Sequence, residues 1–113
     1  MPQQPTNRIL LKLDVFRVPQ HQLNEVVIGR KNRQTNFVPT VDLAVLEGHN
    51  QGVSRRHATL IRKNDWLMII DHSSKNGTFL NGQPLIPEQP RIIRDGDTIR
   101  IGLITLQISY QTD

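Results

Sequence analysis

The 113-residue sequence predicts an all-β fold, a sandwich or barrel of some nine to eleven strands. Three observations carry that expectation: apolar and polar residues alternate over short segments, turn-forming pairs separate them, and no apolar stripe at helical spacing runs for helical length. The first segment sets Ile9, Leu11, Leu13 and Val15 against Leu10, Lys12, Asp14 and Phe16. Shorter candidates follow at Glu25–Ile28, Val41–Val45, His57–Arg62, Trp66–Ile70, Thr78–Leu80, Pro84–Ile86 and Thr98–Ile101. In the last, Ile104, Leu106, Ile108 and Tyr110 alternate with Thr105, Gln107 and Ser109, the period-two pattern of a half-buried antiparallel strand. Asn76-Gly77 and Asn81-Gly82 suit tight hairpins whose two central residues need positive φ. Asn64-Asp65, Asp95-Gly96 and Glu47-Gly48 punctuate other joins. Two longer connections, Lys31–Thr40 and Glu47–Arg56, are polar, and on a rigid β frame such loops are where binding groups gather.

At 13.0 kDa the chain has the size of one domain, with a flexible tail expected over 1–7 and the domain over 8–111. The absence of cysteine excludes a disulfide scaffold, a thiolate zinc finger, an iron–sulfur site and a thiol nucleophile. No apolar run approaches the ~18 residues of a membrane span, and the polar start lacks a secretory core, so a cytoplasmic location is the default expectation. The net charge of +4 is unevenly placed. Residues 30–63 hold seven basic side chains (Arg30, Lys31, Arg33, Arg55, Arg56, Arg62 and Lys63) and two acidic ones (Asp42 and Glu47), a balance of +5. Nucleic-acid binding is therefore the alternative to weigh. Against it, none of the few aromatic residues is interleaved with the basic cluster as base-stacking sheets require.

Gly29-Arg30, Ser54-Arg55-Arg56-His57 and Ser73-Ser74-Lys75-Asn76-Gly77-Thr78 lie at strand ends or in loops. They offer guanidinium, hydroxyl, ammonium and carboxamide groups. Arginine forks match phosphate oxygens, and a phosphorylated side chain brings about −1.5 to −2 charges with three acceptor oxygens. The carboxamide of Asn76 has a donor and an acceptor for the backbone of a peptide. Arg55 and Arg56 cannot both face one phosphate on an extended segment, because successive side chains diverge; Arg55 is expected to face the phosphate and Arg56 to lie on the surface. Ser54, His57 and Asp71 form a nominal catalytic triad, but Gly52-Val53-Ser54-Arg55-Arg56 lacks the second glycine of a nucleophile elbow. Histidines 21, 49, 57 and 72 show no metal-binding spacing. There is no glycine-rich nucleotide loop. No cofactor, metal, membrane or small-molecule substrate is expected, and Trp66 is expected in core or rim packing with its indole N–H paired.

The ordered set Gly29-Arg30, Ser54-Arg55-x-His57, Ser74-x-Asn76-Gly77-Thr78, Asn81-Gly82 and Asp95-Gly96-Asp97 resembles the forkhead-associated (FHA) domain family, from about Glu25 to Tyr110. That resemblance implies an antiparallel β-sandwich of about eleven strands with binding loops at one end. It implies a phosphothreonine-dependent adaptor in Ser/Thr kinase signalling, a non-catalytic monomer. It assigns Arg30, Ser54 and Arg55 to the phosphate and Asn76 to the peptide backbone, with Gly29, His57 and Gly77 supporting the site. Lys75 stands where the family often has a hydroxyl, and is counted with the phosphate contacts. Gly52 occupies a position from which selectivity after the phosphothreonine partly comes, and it offers no side chain there, which leaves strong charge selection to His49, Asn50 or Gln51.

Overall fold

The computed structural model describes residues 9–19, 23–47, 49–64 and 66–112; the expected tail over 1–7 lies outside the described residues. Among these residues eleven strands form two sheets. They are β1 (Ile9–Leu13), β2 (Phe16–Val18), β3 (Glu25–Gly29), β4 (Val41–Asp42), β5 (Arg56–Lys63), β6 (Trp66–Asp71), β7 (Thr78–Leu80), β8 (Gln83–Pro84), β9 (Arg91–Ile93), β10 (Thr98–Ile101) and β11 (Ile104–Thr112). One sheet runs β2-β1-β11-β10-β7-β8 and the other β4-β3-β5-β6-β9. Every pair is antiparallel except β3 with β4, which is parallel. The alternation in β11 puts Ile104, Leu106 and Ile108 inside against Leu11, Leu13, Ile99 and Ile101. From the second sheet come Val26, Ile28, Ala58, Leu60, Leu67, Ile69 and Ile93. Each fully buried valine, leucine or isoleucine among them contributes about 1.5–3 kcal/mol relative to exposure.

Four elements differ from the expectation. The first segment is not one strand to Phe16, because Asp14 takes φ 51 and turns the chain into a hairpin pairing Leu13 with Phe16. Val41–Val45 is a strand only at its first two residues. Asp42 then accepts the Ala44 N–H at 3.0 Å and caps the 3₁₀ helix Leu43–Leu46, a local bond that competes with sheet pairing. The eighth strand begins one residue before Pro84, and Arg91–Ile93 forms a strand without any alternation long enough to announce it. Of the two Asn-Gly pairs, only Asn81-Gly82 has positive φ at both residues (50 and 83). Asn81 also clasps the β9–β10 turn, donating to Asp97 Oδ1 at 3.0 Å and accepting the Thr98 N–H at 2.9 Å.

Strand β5 separates charges that are close in the sequence. Its eight residues, Arg56 to Lys63, span roughly 23 Å at ~3.3 Å per residue. Arg62 and Lys63 therefore sit at the opposite end of the sandwich from Arg30 and Arg55, and the +5 segment is not one patch.

Candidate functional site

The loops after β3, β4 and β6 and the β10–β11 turn meet at one end of the sandwich, and cross-bonds fix their relative positions. The β3–β5 register shifts between Ile28 and Gly29, bringing Gly29 so close to β5 that a Cβ there would lie 1.8 Å from the Arg55 carbonyl oxygen. Beyond this contact the Arg30 N–H donates to the same oxygen at 3.0 Å. The Arg30 side chain is half-buried, and its Nε donates to the Val53 carbonyl at 2.7 Å. The guanidinium is thereby aimed, and its two terminal amino groups have no partner among the described residues.

His57 is fully buried and joins two of the loops. Its Nδ1 accepts the Ser54 N–H at 3.0 Å, and its Nε2 lies 2.8 Å from the Gly77 carbonyl. A backbone N–H only donates and a carbonyl only accepts, so the ring is neutral with its proton on Nε2. Burial lowers its pKa below the ordinary 6.5, outweighing the raising effects of the Gly77 carbonyl and the Asp71 carboxylate. The unfolded chain therefore binds the proton more readily, and stability is fully present above pH 6.5 and falls as pH drops towards the lowered folded value. We expect unfolding free energy to decline below pH 6.5 by up to about 1.4 kcal/mol per pH unit. Denaturant titrations at stepped pH check this, and in His57→Gln that slope should disappear.

Asp71, at the end of β6, is almost as deeply buried as His57 and shapes the next loop. Its Oδ1 accepts from the Ser74 hydroxyl at 2.6 Å and the Thr78 hydroxyl at 2.7 Å, and its Oδ2 accepts the Ser74 N–H at 3.2 Å. Ser74 Oγ in turn accepts the Gly77 N–H at 3.0 Å. This knot presents Lys75 and Asn76 outward, both exposed. The Lys75 N–H donates to Ser54 Oγ at 3.3 Å, and Asn76 Nδ2 donates to the Gly52 carbonyl at 2.9 Å. Gly52 has φ +78, and a Cβ on it would meet Asn76 Nδ2 at 2.7 Å. Its missing side chain is thus what lets Asn76 reach across. The β10–β11 turn closes the set, with the Leu103 N–H donating to Gln51 O at 2.8 Å and the Gly102 N–H to Gly77 O at 3.2 Å.

The structure brings Arg30, Ser54, Lys75 and Asn76 to one rim. Gly29, His57 and Gly77 lie beneath them in the backbone network. The Arg55 side chain is exposed and bonded to no described group, while Arg56 stacks over the Phe37 ring at 4.7 Å. Among the described residues none of Arg30, Arg55 and Lys75 has a carboxylate partner. The nominal triad is not assembled: His57 Nδ1 is occupied by a backbone N–H, and Ser54 Oγ faces Lys75, so no base reaches the hydroxyl. Trp66 is not in the core. It lies half-buried on an outer face, with Arg94 above its ring at 5.9 Å and no partner for its indole N–H among the described residues. Sequence reasoning missed Asp71 and Ser74 as shapers of the loop. An aspartate ending an apolar strand with serine three positions on is a local side-chain-to-backbone pattern that could have signalled them. Gly102 left no such signal, since its contacts, a Cβ position 2.6 Å from Gln51 O, are distant in the chain.

Fold and rim together define a β-sandwich binding module that presents hydrogen-bond donors and positive charge from loops at one end. The chain belongs to the FHA domain family, whose family model matches residues 26–102. It is 36% identical over 80 residues to Protein FraH of Nostoc sp., covering 71% of this chain and 27% of that protein; it spans about a quarter of that relative's length. Among solved structures, it resembles the FhaA FHA domain complexed with the intracellular domain of another protein, with TM-score 0.64, 26% identity and coverage of 88% of this chain and 98% of that one. A domain from a study of phosphothreonine-dependent FHA interactions shares the fold, with TM-score 0.67, 24% identity and coverage of 94% and 99%.

Proposed function

We propose that this FHA domain is a phosphothreonine-dependent peptide-binding adaptor in Ser/Thr kinase signalling, monomeric and without catalysis of its own. The observation that carries the reading is the aimed, otherwise unpartnered fork of Arg30 beside Ser54, Lys75 and Asn76. The relatives support it: one solved neighbour is described as phosphothreonine-dependent in its interactions, and another is bound to a partner's intracellular domain. In this reading Arg30, Ser54, Arg55 and Lys75 bind the phosphate. Asn76, steadied by its bond to the Gly52 carbonyl, contacts the peptide backbone through its remaining amide hydrogen and its oxygen. Each charge-assisted bond to the phosphate contributes about 1.5–3 kcal/mol. Threonine is preferred over serine through its γ-methyl, worth roughly 0.8 kcal/mol and so a few-fold in affinity.

The test is a titration of the full chain with a phosphothreonine peptide library, each member paired with its unphosphorylated and phosphoserine twins. Phosphothreonine members should bind at least a hundredfold more tightly than the unphosphorylated twins and a few-fold more tightly than phosphoserine. Equal binding of phosphorylated and plain peptides overturns the proposal. So does tight binding of duplex DNA that falls steeply with salt while the peptides are ignored, the outcome a nucleic-acid-binding domain would give.

A further inference from the structure

The two sheets differ on their outer faces. Cross-strand positions on the six-stranded sheet carry Lys12 beside Ser109, Thr98 beside Gln107 and Arg100 beside Thr105, the wet face expected of an antiparallel sheet. On the five-stranded sheet the same register sets Ile61 beside Met68 and Met68 beside Ile92, with Ile70 and Trp66 in the neighbouring rows. All five are half-buried. Towards β9 this apolar face runs into a cleft of about 670 Å³, with Met68, Leu80 and Ile92 on its walls and Arg91 and Arg94 also lining it. The cleft lies beside the β7–β8 and β9–β10 turns, at the end of the sandwich remote from Arg30 and Asn76.

The charges around it are unmatched. Among the described residues Lys63, Arg91 and Arg94 form no ion pair. The one carboxylate in the cleft, Asp97, is committed to the Asn81 amide at 3.0 Å and to the Arg94 backbone N–H at 2.7 Å. Of the acids on this face, Glu25 stands on β3, across the sheet from β9, and Glu88, just before β9, lies 3.6 Å from His72 Nδ1 and accepts from the Ser73 hydroxyl at 3.5 Å. Strand addition to β9 is obstructed, because the Ile93 carbonyl accepts the Tyr110 hydroxyl at 2.9 Å and Pro90 just before the strand has no N–H to donate. Recognition there belongs to side chains: apolar walls beside unpaired guanidinium groups.

We propose that this flank is a second docking surface, and that its occupant is an acidic segment of a protein partner with an apolar side chain set between carboxylates. The apolar side chain fills the cleft against Met68, Leu80 and Ile92, while the carboxylates meet Arg91, Arg94 and Lys63. A second copy of this chain is a poor match, since it would bring the same cations, and of the two glutamates on this face one stands across the sheet on β3 and the other is engaged by His72 and Ser73. Nucleic acid has no use for the apolar walls. Because the flank and the phosphate rim lie at opposite ends, one partner can engage both, and the second contact then raises affinity by effective concentration.

The test is two-dimensional amide NMR of the full chain with a synthetic, unphosphorylated peptide, acetyl-Glu-Glu-Leu-Asp-Phe-Glu-Glu-amide, at millimolar concentration. The amides of Met68, Leu80, Ile92 and Arg94 should shift while those of Ser54, Lys75 and Asn76 stay. The double variant Arg91→Glu/Arg94→Glu should weaken the peptide at least tenfold, with phosphothreonine peptide affinity and the rest of the spectrum unchanged. A probe with Leu and Phe replaced by Ser should also bind at least tenfold more weakly. The proposal is overturned if the flank amides do not move, if a probe with lysine for each acid moves them equally, or if only the phosphate rim responds. It is equally overturned if the flank shifts follow protein concentration without peptide, which would make a second copy the occupant.

Discussion

Arg30→Ala is expected to remove phosphopeptide binding while leaving the domain folded. The side chain spends only Nε on the protein, in its bond to Val53 O, and keeps the forked end for the ligand. Truncation deletes two charge-assisted bonds at once, about 3 kcal/mol or more, which is on the order of a hundredfold or greater loss of affinity. The folded state loses one hydrogen bond at a half-buried position, about 1 kcal/mol, so the melting temperature should fall by roughly 4–8 °C. Arg30→Lys separates the two roles, because a lysine keeps the charge but cannot form the fork. It should bind between the wild type and the alanine variant. Titration with one phosphothreonine peptide, alongside thermal melts of all three proteins, reads both quantities. A cooperative melt destroyed by Arg30→Ala would make the residue structural, and affinity retained in that variant would remove it from the site.

What was legible in the sequence follows the range of the forces involved. Alternation marks which face of a strand is buried, so the long β11 and the Thr98–Ile101 strand were readable residue by residue. Where a local side-chain bond competes with pairing, as at Asp42, the pattern misled, and the three-residue β9 is too short to carry a period. The motif residues Arg30, Ser54, Lys75 and Asn76 were legible because each falls at a strand end or in a loop. The reason they meet was not. Gly102 against Gln51, Asn76 against Gly52 and Asp71 beneath Thr78 are contacts that only the closed sandwich creates. The same holds for the charge: Arg62 and Lys63 counted with Arg30 in the sequence and lie a full strand length from it in space. For Trp66 the sequence left core and rim both open, since a strand that is apolar on both faces has no alternation to say which face meets water.

Gly29→Ala should be the most damaging single methyl that can be added among these loop glycines. Its Cβ would fall 1.8 Å from the Arg55 carbonyl oxygen, with the carbonyl carbon at 2.8 Å. Both belong to backbone, so no rotamer change relieves the overlap. Either β3 withdraws from β5, or the peptide at Arg55 rotates and breaks the bond to the Arg30 N–H. Overpacking of this kind costs 1–3 kcal/mol or more, and the broken bond adds about 1 kcal/mol. A total near 4 kcal/mol is a large part of a domain stability of about 5–15 kcal/mol, so a fall in melting temperature on the order of 15 °C or more is expected. Two other glycines calibrate the effect. Gly82 has φ +83 and open space around it, so Gly82→Ala carries only the left-handed backbone term of about 1–2 kcal/mol. At Gly52, with φ +78, the added methyl meets the Asn76 side chain rather than backbone. Gly52→Ala should therefore combine a similar loss of stability with a displaced Asn76, and weaken peptide binding at least tenfold. Melting curves should rank Gly29→Ala far below the other two, and peptide titrations should single out Gly52→Ala from Gly82→Ala. If Gly29→Ala melts within a few degrees of the wild type, the close approach of β3 to β5 is not what aims Arg30, and the rim is held by the His57 and Asp71 networks instead.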